Sequence, residues 1–345
     1  MNGDRSTTTV SPRGTPRLTI VIPTVNRASL VGRALDSALA QTYPDVEIIV
    51  SNNGSTDGTR AVLDRFAGAP RVRVLHRDST IPANPHGNFL LEEARGEFFV
   101  GLSDDDWLEP GFAASAVAMF DRQPGLSFVW TGCDIHYADI VVPARTGPTV
   151  ESGTEFLSAF LAGFRNICWC ACVTRTADLR RIGPIPTDVF CGDMFYWTKL
   201  ASGGLVGCVQ EPLSHYVCYR DGGDGIAGGA PVVAWAAEMK RWATDMVESC
   251  EGAGLDARTV AAVRREALDF VARSTSNQFA WNALRGARKA SLLGSVSACF
   301  PFLRGGHLKN WIRVVASIVA PKWLLRSRIL AEARRRAMVA HAPER

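Results

Sequence analysis

The stretch LTIVIPTVNRASLVGRALDSALAQTYPDVEIIVSNNGSTDGT at residues 18–59 contains the alternation of strand and helix that decides the fold. Leu18–Pro23 is a continuous run rich in β-branched residues, which is typical of a strand buried on both faces of a parallel sheet. The apolar positions within residues 30–39 recur at helical spacing and predict a helix. Val46–Val50 predicts the next strand, and the Asn, Gly, Ser and Asp residues at 52–58 predict a loop after it.

The same alternation continues downstream of this stretch. We expect a helix over Thr59–Phe66, a third strand over Val72–Leu75, a helix around Gly87–Ala94 and a fourth buried strand over Glu97–Leu102. A βαβαβ order implies right-handed crossovers between parallel strands. The sequence therefore predicts the α/β class, with a Rossmann-like, mostly parallel central sheet flanked by helices.

Polar loops follow three of these strands, after Ile22, Val50 and Leu102. Open α/β sheets bind ligands at the carboxyl ends of their strands, so we expect the three loops to converge on one site. Taken singly, the first two loops would be a helix N-terminus and an ordinary turn, and their occurrence in order on successive strand ends favours a binding role. Their candidate ligand-binding residues are Pro23, Thr24, Asn26, Arg27, Asn52 and Asn53.

The third loop begins with consecutive aspartates, Asp104, Asp105 and Asp106. Like charges held together repel one another unless a cation neutralises them. Carboxylate oxygens suit Mg²⁺ or Mn²⁺, and these ions keep free positions for phosphate oxygens. We therefore predict a divalent-cation site at these three aspartates, with a solvated acidic turn as the alternative.

The pattern changes beyond Trp107 to mixed strands and short helices. Strands are expected at Trp169–Thr174, Gly203–Val209 and Ser214–Tyr219, and helical periodicity dominates from Pro231 onward. The resulting division is a disordered leader at 1–16, an α/β domain at 17–230 with halves at 17–106 and 107–230, and a helical appendage at 231–345.

Nine cysteines occur without paired CxxC spacing and without a preceding secretory signal, which indicates reduced thiols in a cytoplasmic protein. Cys168, Cys170 and Cys172 alternate along the expected strand, so they would share one face as structural or pocket-lining residues. They lack the ligand loops that zinc sites favour. No apolar run reaches the ~18 residues of a membrane span.

The basic character of the chain lies in its tail, where residues 304–345 hold ten Lys or Arg and two Asp or Glu. Apolar residues keep helical spacing over His307–Ala320, Pro321 interrupts them, and Lys322–Met338 adds Trp323 and five arginines. A basic amphipathic helix with Trp predicts contact with an anionic membrane surface at 304–345. Packing on the protein itself is the alternative. No motif that recognises nucleic acid accompanies the arginines, so nucleic acid is not an expected partner.

Three segments together resemble family 2 glycosyltransferases, the inverting enzymes of GT-A fold: residues 18–59 quoted above, ARGEFFVGLSDDDWLEP and CGDMFYWTKLASGG. The resemblance runs from about Leu18 to Leu108, returns around Asp193 and is absent from the helical tail. It implies transfer of a sugar from a nucleotide-diphosphate sugar to an acceptor hydroxyl. The acceptor would be a carbohydrate, a lipid-linked molecule or a small metabolite, in cell-surface polysaccharide, glycolipid or glycosylated-metabolite synthesis. An enzyme of this kind would act in the cytoplasm or peripherally on the cytoplasmic membrane face.

Position by position, the resemblance places Thr24, Asn26 and Arg27 in the loop that borders the nucleotide. Asn52 stands where the family usually has an aspartate that accepts a hydrogen bond from the pyrimidine N3–H. The amide oxygen of Asn52 can still accept that bond, and its NH₂ can donate to O4 of the base. UDP- or dTDP-sugars therefore stay favoured as donors. Asp104 matches the ribose-side carboxylate of the DXD-like motif and Asp105 the metal ligand. Ser103 replaces a further aspartate of many members.

Asp193 matches the catalytic base of the family, and Gly192 stands where an acidic residue usually precedes it. As a general base, the Asp193 carboxylate would take the proton of the acceptor hydroxyl during a single inverting displacement. An aspartate at the start of a helix is also a common capping residue, which is the structural alternative.

Other candidates come from the second half of the expected domain. Arg220 precedes a glycine-rich segment that resembles the loop closing over donor phosphates, where it would clamp a phosphate; a plain surface loop is the alternative. Acceptor contacts are predicted for Trp169, Trp197 and His215, with core packing as the alternative for the two tryptophans.

Two other functions compete with glycosyl transfer. A nucleotidyltransferase also binds nucleotides on an α/β sheet, but it would need a glycine-rich loop with a basic residue after the first strand, and PTVNR is not such a loop. A catalytically silent scaffold of a membrane glycan assembly complex would not need an intact set of Asp104, Asp105 and Asp193.

Overall fold

The computed structural model describes residues 15–137, 140–165, 167–218, 230–303, 308–321 and 324–325. Its first part is built from strands and helices in strict alternation. β1 lies between β2 and β4 and is parallel to both, with Leu18 opposite Val46 on one side and Phe98 on the other. The elements are β1 (Leu18–Thr24), α1 (Val31–Leu39), β2 (Val46–Asn52), α2 (Thr59–Asp64), β3 (Val72–His76), α3 (Ala83–Glu93) and β4 (Phe98–Gly101).

The second part extends the same sheet with strands of both directions. The strand order is β3-β2-β1-β4-β9-β6-β10-β5, with β7 paired to β6 and β8 to β10. β9 runs antiparallel to both β4 and β6, whereas β6 and β10 are parallel. These elements are β5 (Trp107–Leu108), α4 (Phe112–Arg122), β6 (Leu126–Tyr137), β7 (Ile140–Val142), β8 (Val150–Ser152), α5 (Gly153–Ala162), a 3₁₀ turn (Trp169–Ala171), β9 (Cys172–Arg175), α6 (Thr176–Ile182), α7 (Gly192–Ala201) and β10 (Leu205–Cys218).

Three predicted strands are wrong in detail. Trp169–Ala171 is a 3₁₀ turn rather than the start of a strand, because the Trp169 indole lies directly over Gly101, where a Cβ would come within 0.9 Å of the indole Nε1. The expected strands at 203–209 and 214–219 form the single strand β10, whose pairing with β6 shifts register between Val209 and Ser214.

The 3₁₀ turn also changes the expected arrangement of the thiols. Cys168 and Cys170 do not share a strand face with Cys172; they lie beside Cys133 of β6, and hydrogen bonds from the Cys168 and Cys170 thiols lower the pKa of the Cys133 thiol. All nine cysteines are free.

The alternation of side chains along the parallel strands supplies two separate hydrophobic cores. Ile20 and Ile22 of β1 pack with α1 and α4 on one face, and Val21 packs on the other face with residues of α3, α5 and α7. β1, β2 and β4 are therefore buried on both sides, as the continuous apolar run of β1 predicts, whereas the edge strand β3 is only partly buried.

Four helices make up the described C-terminal region. The first two, α8 (Val232–Gly252) and α9 (Ala257–Leu284), add residues to the same core as α5 and α7. The ring of Trp242 in α8 lies 6.3 Å from that of Phe160 in α5 and 5.1 Å from that of Phe270 in α9. The other two are α10 (Lys289–Leu303) and α11 (Leu308–Val319). The domain division proposed from the sequence stays a prediction. The residues before and after its boundary at 230 nevertheless share this one hydrophobic core.

α11 is the described part of the basic tail. It buries Asn310, Val314 and Ile318, and leaves Ile312, Val315 and Val319 exposed. Most of the predicted helix at Lys322–Met338 lies outside the described residues. Within the part of the chain that the structure describes, no helix combines the length and apolar character needed to cross a membrane.

The shared core predicts the effect of one substitution in α8. Met239 is 0% exposed within the core that α8 shares with α5 and α7, so Met239→Ala should lower the free energy of unfolding of the whole chain by about 2–5 kcal/mol. Val233→Ala on the same helix, at a side chain 40% exposed, is the matched control and should cost far less. Urea unfolding followed by tryptophan fluorescence measures both; equal effects of the two variants would contradict the shared core.

Candidate functional site

The ends of β1 and β4 are joined through Asp104. The Thr24 hydroxyl, at the end of β1, donates a 2.6 Å hydrogen bond to Asp104 Oδ2. Arg27 Nε lies 3.9 Å from Asp104 Oδ1. The loops after these two parallel strands therefore meet at one edge of the sheet, where α/β proteins bind ligands.

The loop after β1 is also tied to the loop after β2. Asn26 has a φ of 54°, a left-handed conformation that Asn tolerates better than most residues. Its Oδ1 accepts a 2.8 Å hydrogen bond from Thr56 N, and its N–H donates to Ser55 Oγ at 2.8 Å. Arg27 N–H donates to Thr59 Oγ1 at 2.9 Å. These bonds hold the two loops in a fixed relation to one another.

Both asparagines of the second loop use their amides within the protein. Asn52 Oδ1 accepts from Ser55 N at 3.0 Å, and its Nδ2 lies 3.3 Å from His76 Nδ1. Asn53 is buried and forms two hydrogen bonds with the backbone of Ile81, at 3.0 and 2.8 Å. In this geometry Asn53 shapes the loop, and Asn52 can reach a base only by exchanging one of these partners.

The three consecutive aspartates occupy different environments. Burial raises the pKa of Asp104 to about 6, although the Thr24 hydrogen bond opposes the change. Asp106 is 0% exposed; its Oδ1 accepts from Val217 N at 2.9 Å, and its Oδ2 has no hydrogen-bond partner among the described residues. Burial raises the pKa of Asp106 well above its usual range. Asp105 is half-buried, and its backbone carbonyl accepts a hydrogen bond from Arg33 Nη2.

These differences bear on which aspartate could hold a metal ion. Asp105 has the most exposed carboxylate of the three, whereas Asp106 is bonded to the backbone of β10. Among the described residues there is no group of three or more His, Cys, Asp or Glu side chains arranged to hold a metal ion. An ion held by one or two carboxylates and completed by phosphate oxygens needs no larger group.

Asp193 lies in the first turn of α7, on the wall of a cavity of ≈ 30 Å³. Its Oδ1 accepts from the next backbone N–H, Met194 N, at 3.0 Å. Burial is the main cause that raises the pKa of Asp193 to about 6. Cys191 occupies the N-cap position, and Asp193 is the acidic residue of the first turn, where a negative charge also interacts favourably with the helix dipole.

A steric constraint explains why the residue before Asp193 is a glycine. A Cβ on Gly192 would come within 2.2 Å of Ile185 Cγ2 and 3.0 Å of Asn84 Oδ1. An acidic side chain therefore cannot occupy this position without displacing the loop before α7.

Trp169 and Trp197 line the same cavity as Asp193. Trp169 is half-buried against Gly101, and Trp197 is buried with its ring centroid 6.4 Å from that of Phe160, in an edge-to-face arrangement. The structure thus brings two of the three predicted acceptor residues beside the predicted base.

His215 belongs to a different cluster, and both of its ring nitrogens have protein partners. His215 Nε2 lies 2.9 Å from Glu109 Oε1, and Nδ1 lies 3.1 Å from His136 Nε2. Its ring stacks on Trp107 with centroids 4.5 Å apart. The Arg33 guanidinium lies on the ring of Trp107, 4.3 Å from its centroid.

Arg33, Trp107 and His136 are residues near the site that sequence analysis missed. Arg33 lies on α1, and nothing in the local sequence distinguishes it from an ordinary polar residue between the apolar positions of that helix. Its contact with the Asp105 carbonyl depends on the approach of two segments 72 residues apart. Arg220, the predicted phosphate clamp, lies outside the described residues.

Comparisons of sequence agree with this geometry. Residues 19–175 match the family model described as glycosyl transferase family 2. The GalNAc(5)-diNAcBac-PP-undecaprenol beta-1,3-glucosyltransferase of Campylobacter jejuni is 31% identical over 155 residues, which cover 43% of this chain and 50% of that protein. The PGL/p-HBAD biosynthesis glycosyltransferase of Mycobacterium bovis is 30% identical over 172 residues, or 49% of this chain and 63% of that protein. The chain thus spans less than two thirds of the length of each.

Solved structures resemble the chain over nearly its whole length. TarS 1–349 from S. aureus, in complex with UDP-GlcNAc, has a TM-score of 0.68 at 17% identity and covers 93% of this chain and 88% of its own. The mannosyltransferase PcManGT from Pyrobaculum calidifontis, in complex with GDP-Man and Mn²⁺, has a TM-score of 0.53 at 20% identity and covers 95% and 89%. At these identities the likeness concerns the fold.

Proposed function

Because the chain belongs to glycosyltransferase family 2 through residues 19–175 and has the GT-A fold, we propose that it transfers a sugar from a nucleotide-diphosphate sugar to an acceptor hydroxyl with inversion at the anomeric carbon. One observation carries the proposal: Gly101, at the end of β4, lines the Asp193 cavity and lies three residues before Asp104. The polar loops and the candidate base thus meet at the carboxyl end of one strand.

The donor lies against the loops after β1 and β2. Thr24, Asn26 and Arg27 form a rigid edge next to Asp104, and Asn52 stands at the position where the base is recognised. A UDP- or dTDP-sugar is the proposed donor. The nucleotide sugars of the structural relatives, UDP-GlcNAc in TarS and GDP-Man in PcManGT, support the class of ligand and differ in the base.

A divalent cation, Mn²⁺ or Mg²⁺, fits the residues at the end of β4. Asp105 would hold it with its half-exposed carboxylate, and Asp104 would bind the ribose or share the ion. Asp106, bonded to Val217 N, would keep β10 in place behind the ion. A bound cation would stabilise the negative charge on the departing diphosphate. Mn²⁺ in the PcManGT complex supports this choice.

Asp193 acts as the general base in this proposal. Its carboxylate removes the proton of the acceptor hydroxyl while the oxygen of that hydroxyl forms a bond to the anomeric carbon and the bond to the diphosphate breaks. A buried carboxyl with a pKa of about 6 is ionised at pH 7 and still basic enough to accept that proton. The half-buried Trp169 would present aromatic surface to the acceptor, and the buried Trp197 lines the same cavity behind it.

The acceptor is proposed to be a carbohydrate or a lipid-linked molecule at the cytoplasmic face of a membrane. The undecaprenol-linked substrate in the name of the Campylobacter jejuni relative supports this class. The exposed apolar residues Ile312, Val315 and Val319 of α11, in a tail rich in arginine, support peripheral contact with anionic lipid.

The metal assignment predicts the behaviour of Asp105→Ala. This variant should lose the gain in UDP affinity that Mn²⁺ gives, by about tenfold or more, because the direct carboxylate ligand is removed. Asp121→Ala, in a surface ion pair with Arg17, is the matched control and should keep the gain. Calorimetric titration of UDP with and without Mn²⁺ measures both, and an unchanged Mn²⁺ effect in Asp105→Ala would rule out this ligand.

Asp106→Ala should instead lower the melting temperature, since it removes a buried hydrogen bond to the backbone of β10.

The base assignment predicts the effects of Asp193→Asn and of pH. The amide cannot accept a proton, so release of nucleotide from the donor sugar, with water or acceptor as nucleophile, should fall about 10²-fold or more. UDP affinity and melting temperature should be retained. In the wild type the rate should rise with pH through about 6, because only the ionised carboxylate is active.

Asp188→Asn is the control for this experiment. Asp188 lies in the loop that precedes α7, but its side chain is 71% exposed and paired with Arg241. Its substitution should leave nucleotide release near the wild-type rate. A near-normal rate in Asp193→Asn would remove Asp193 from the mechanism.

A further inference from the structure

A carboxylate from the C-terminal region binds the backbone just before Asp193. Phe190 N–H donates to Glu238 Oε2 at 2.7 Å, and Cys191 N–H donates to Glu238 Oε1 at 2.8 Å. Glu238 lies in α8 and is 6% exposed. Both carboxylate oxygens are therefore used on two consecutive amides, the second of which is the N-cap residue of α7.

The position of this carboxylate is favourable for fixing a helix start. Amides at the beginning of a helix have no intrahelical partner, and a negative charge there also interacts well with the helix dipole. Hydrogen bonds that involve a charged group are shorter and stronger than neutral ones. Two such bonds from one rigid side chain hold both the place and the direction in which the chain enters α7, two residues before Asp193.

One further contact from α8 holds the same segment. Trp242 Nε1 donates to the Met194 carbonyl at 3.2 Å, on the far side of Asp193. The pair between Arg241 and Asp188 is exposed, and an exposed ion pair contributes little to holding the segment. The backbone on both sides of Asp193 is thus bonded to α8.

The opposite side of the segment is held by α3. Asn84 Nδ2 donates to the carbonyls of Val189 and Pro186, at 2.6 and 3.0 Å. Asn88 exchanges two hydrogen bonds with the backbone of Ile185, at 2.8 and 2.9 Å. The loop before α7 is therefore clamped between a helix of the family domain and a helix outside the family match, which ends at residue 175.

We propose that Glu238 is a positioning residue for Asp193, so that the first helix of the C-terminal region completes the catalytic site rather than only extending the core. The inference rests on the proposed role of Asp193 as general base. Glu238 touches neither donor nor acceptor in this account; it acts by holding the start of α7, and a displacement of about 1 Å in a reacting group can reduce a rate on the order of 10²-fold.

The charge of Glu238 also affects the pKa of Asp193. The groups that interact electrostatically with Asp193 are Glu238, the thiols of Cys168, Cys172 and Cys191, and the phenol of Tyr216. Burial raises the pKa of Cys172, Cys191 and Tyr216. The pKa of Cys168 is raised by its hydrogen bond with Cys133 and by burial. All four groups therefore stay neutral. The Glu238 carboxylate raises the pKa of Asp193 by repulsion.

The test compares Glu238→Gln with Glu248→Gln, the same change at an exposed position of the same helix. Release of UDP from a UDP-sugar and binding of UDP are measured for both full-length variants. Glu238→Gln should lower kcat about tenfold or more with UDP affinity unchanged, because the amide can accept only one of the two N–H groups. Glu248→Gln should match the wild type. A wild-type kcat in folded Glu238→Gln would overturn the proposal.

Two readouts separate positioning from a general loss of stability. Removal of the Glu238 charge should lower the pKa of Asp193, so the acidic limb of the pH–rate profile should move to lower pH in Glu238→Gln and stay in place in Glu248→Gln. In an Asp193→Asn background, Glu238→Gln should change the residual rate less than twofold. An equal loss in both backgrounds would show that Glu238 does not act through Asp193, and would overturn the proposal.

A second variant covers the case in which Glu238→Gln fails to fold. Trp242→Phe keeps an aromatic ring against Phe160 and Phe270 and removes the N–H that bonds Met194 O together with part of the ring volume. It should lower kcat with the same unchanged UDP affinity, and a wild-type kcat would contradict the role of α8. The base assignment fails on a different result, a normal rate in Asp193→Asn, so the two failures are distinguishable.

Discussion

The 2.6 Å hydrogen bond from the Thr24 hydroxyl to the Asp104 carboxylate joins the ends of β1 and β4, and the candidate site is arranged around this contact. It depends on parallel pairing in register, with Val21 opposite Gly101, which brings Thr24 and Asp104, each three residues further along its chain segment, to the same level. The loop after β2 joins the same edge through Asn26 and Ser55. A carboxylate that is buried and hydrogen-bonded here costs desolvation, as the raised pKa of Asp104 indicates, and a cation or a ribose hydroxyl would offset that cost.

The second half of the site depends on a close approach that only glycine permits. Gly101 lets the Trp169 indole lie on β4, and Gly192 lets α7 begin against Ile185 and Asn84. Together these contacts bring Asp193 to a cavity that touches the strand leading to the aspartates. The helices α3 and α8 then hold the loop before α7 from opposite sides.

The α/β class, the parallel strands and the GT-A fold could be predicted from the sequence because they depend on local patterns. The apolar run Leu18–Pro23 and the apolar spacing of residues 30–39 are set by burial, and each pattern matches an element of the structure. The family was predicted on the same strand-end motifs, and the match over residues 19–175 confirms it. The 3₁₀ turn at Trp169–Ala171 was not predicted, because it accompanies the packing of Trp169 on a glycine 68 residues earlier, and no local pattern marks that contact.

The contacts that decide roles within the site join residues far apart in the chain. Glu238 bonds amides 47 and 48 residues before it, and His215 is occupied by Glu109, 106 residues away. No local pattern marks such pairs, so sequence analysis could name Asp193 and His215 only as equal candidates. It could not show that Asp193 lies on the cavity wall whereas His215 is enclosed by Trp107, His136 and Glu109. The roles assigned to the individual site residues remain predictions from motif and geometry.

The stereochemistry of transfer tests the central claim, a single displacement assisted by one base, most directly. A donor with an α-linked sugar, such as UDP-GlcNAc, is incubated with the full chain and Mn²⁺, and the anomeric proton of the first-formed product is followed by ¹H NMR before mutarotation. The account predicts the β-anomer, with its large coupling between the protons on carbons 1 and 2. First appearance of the α-anomer would contradict it, because retention cannot arise from one inverting displacement.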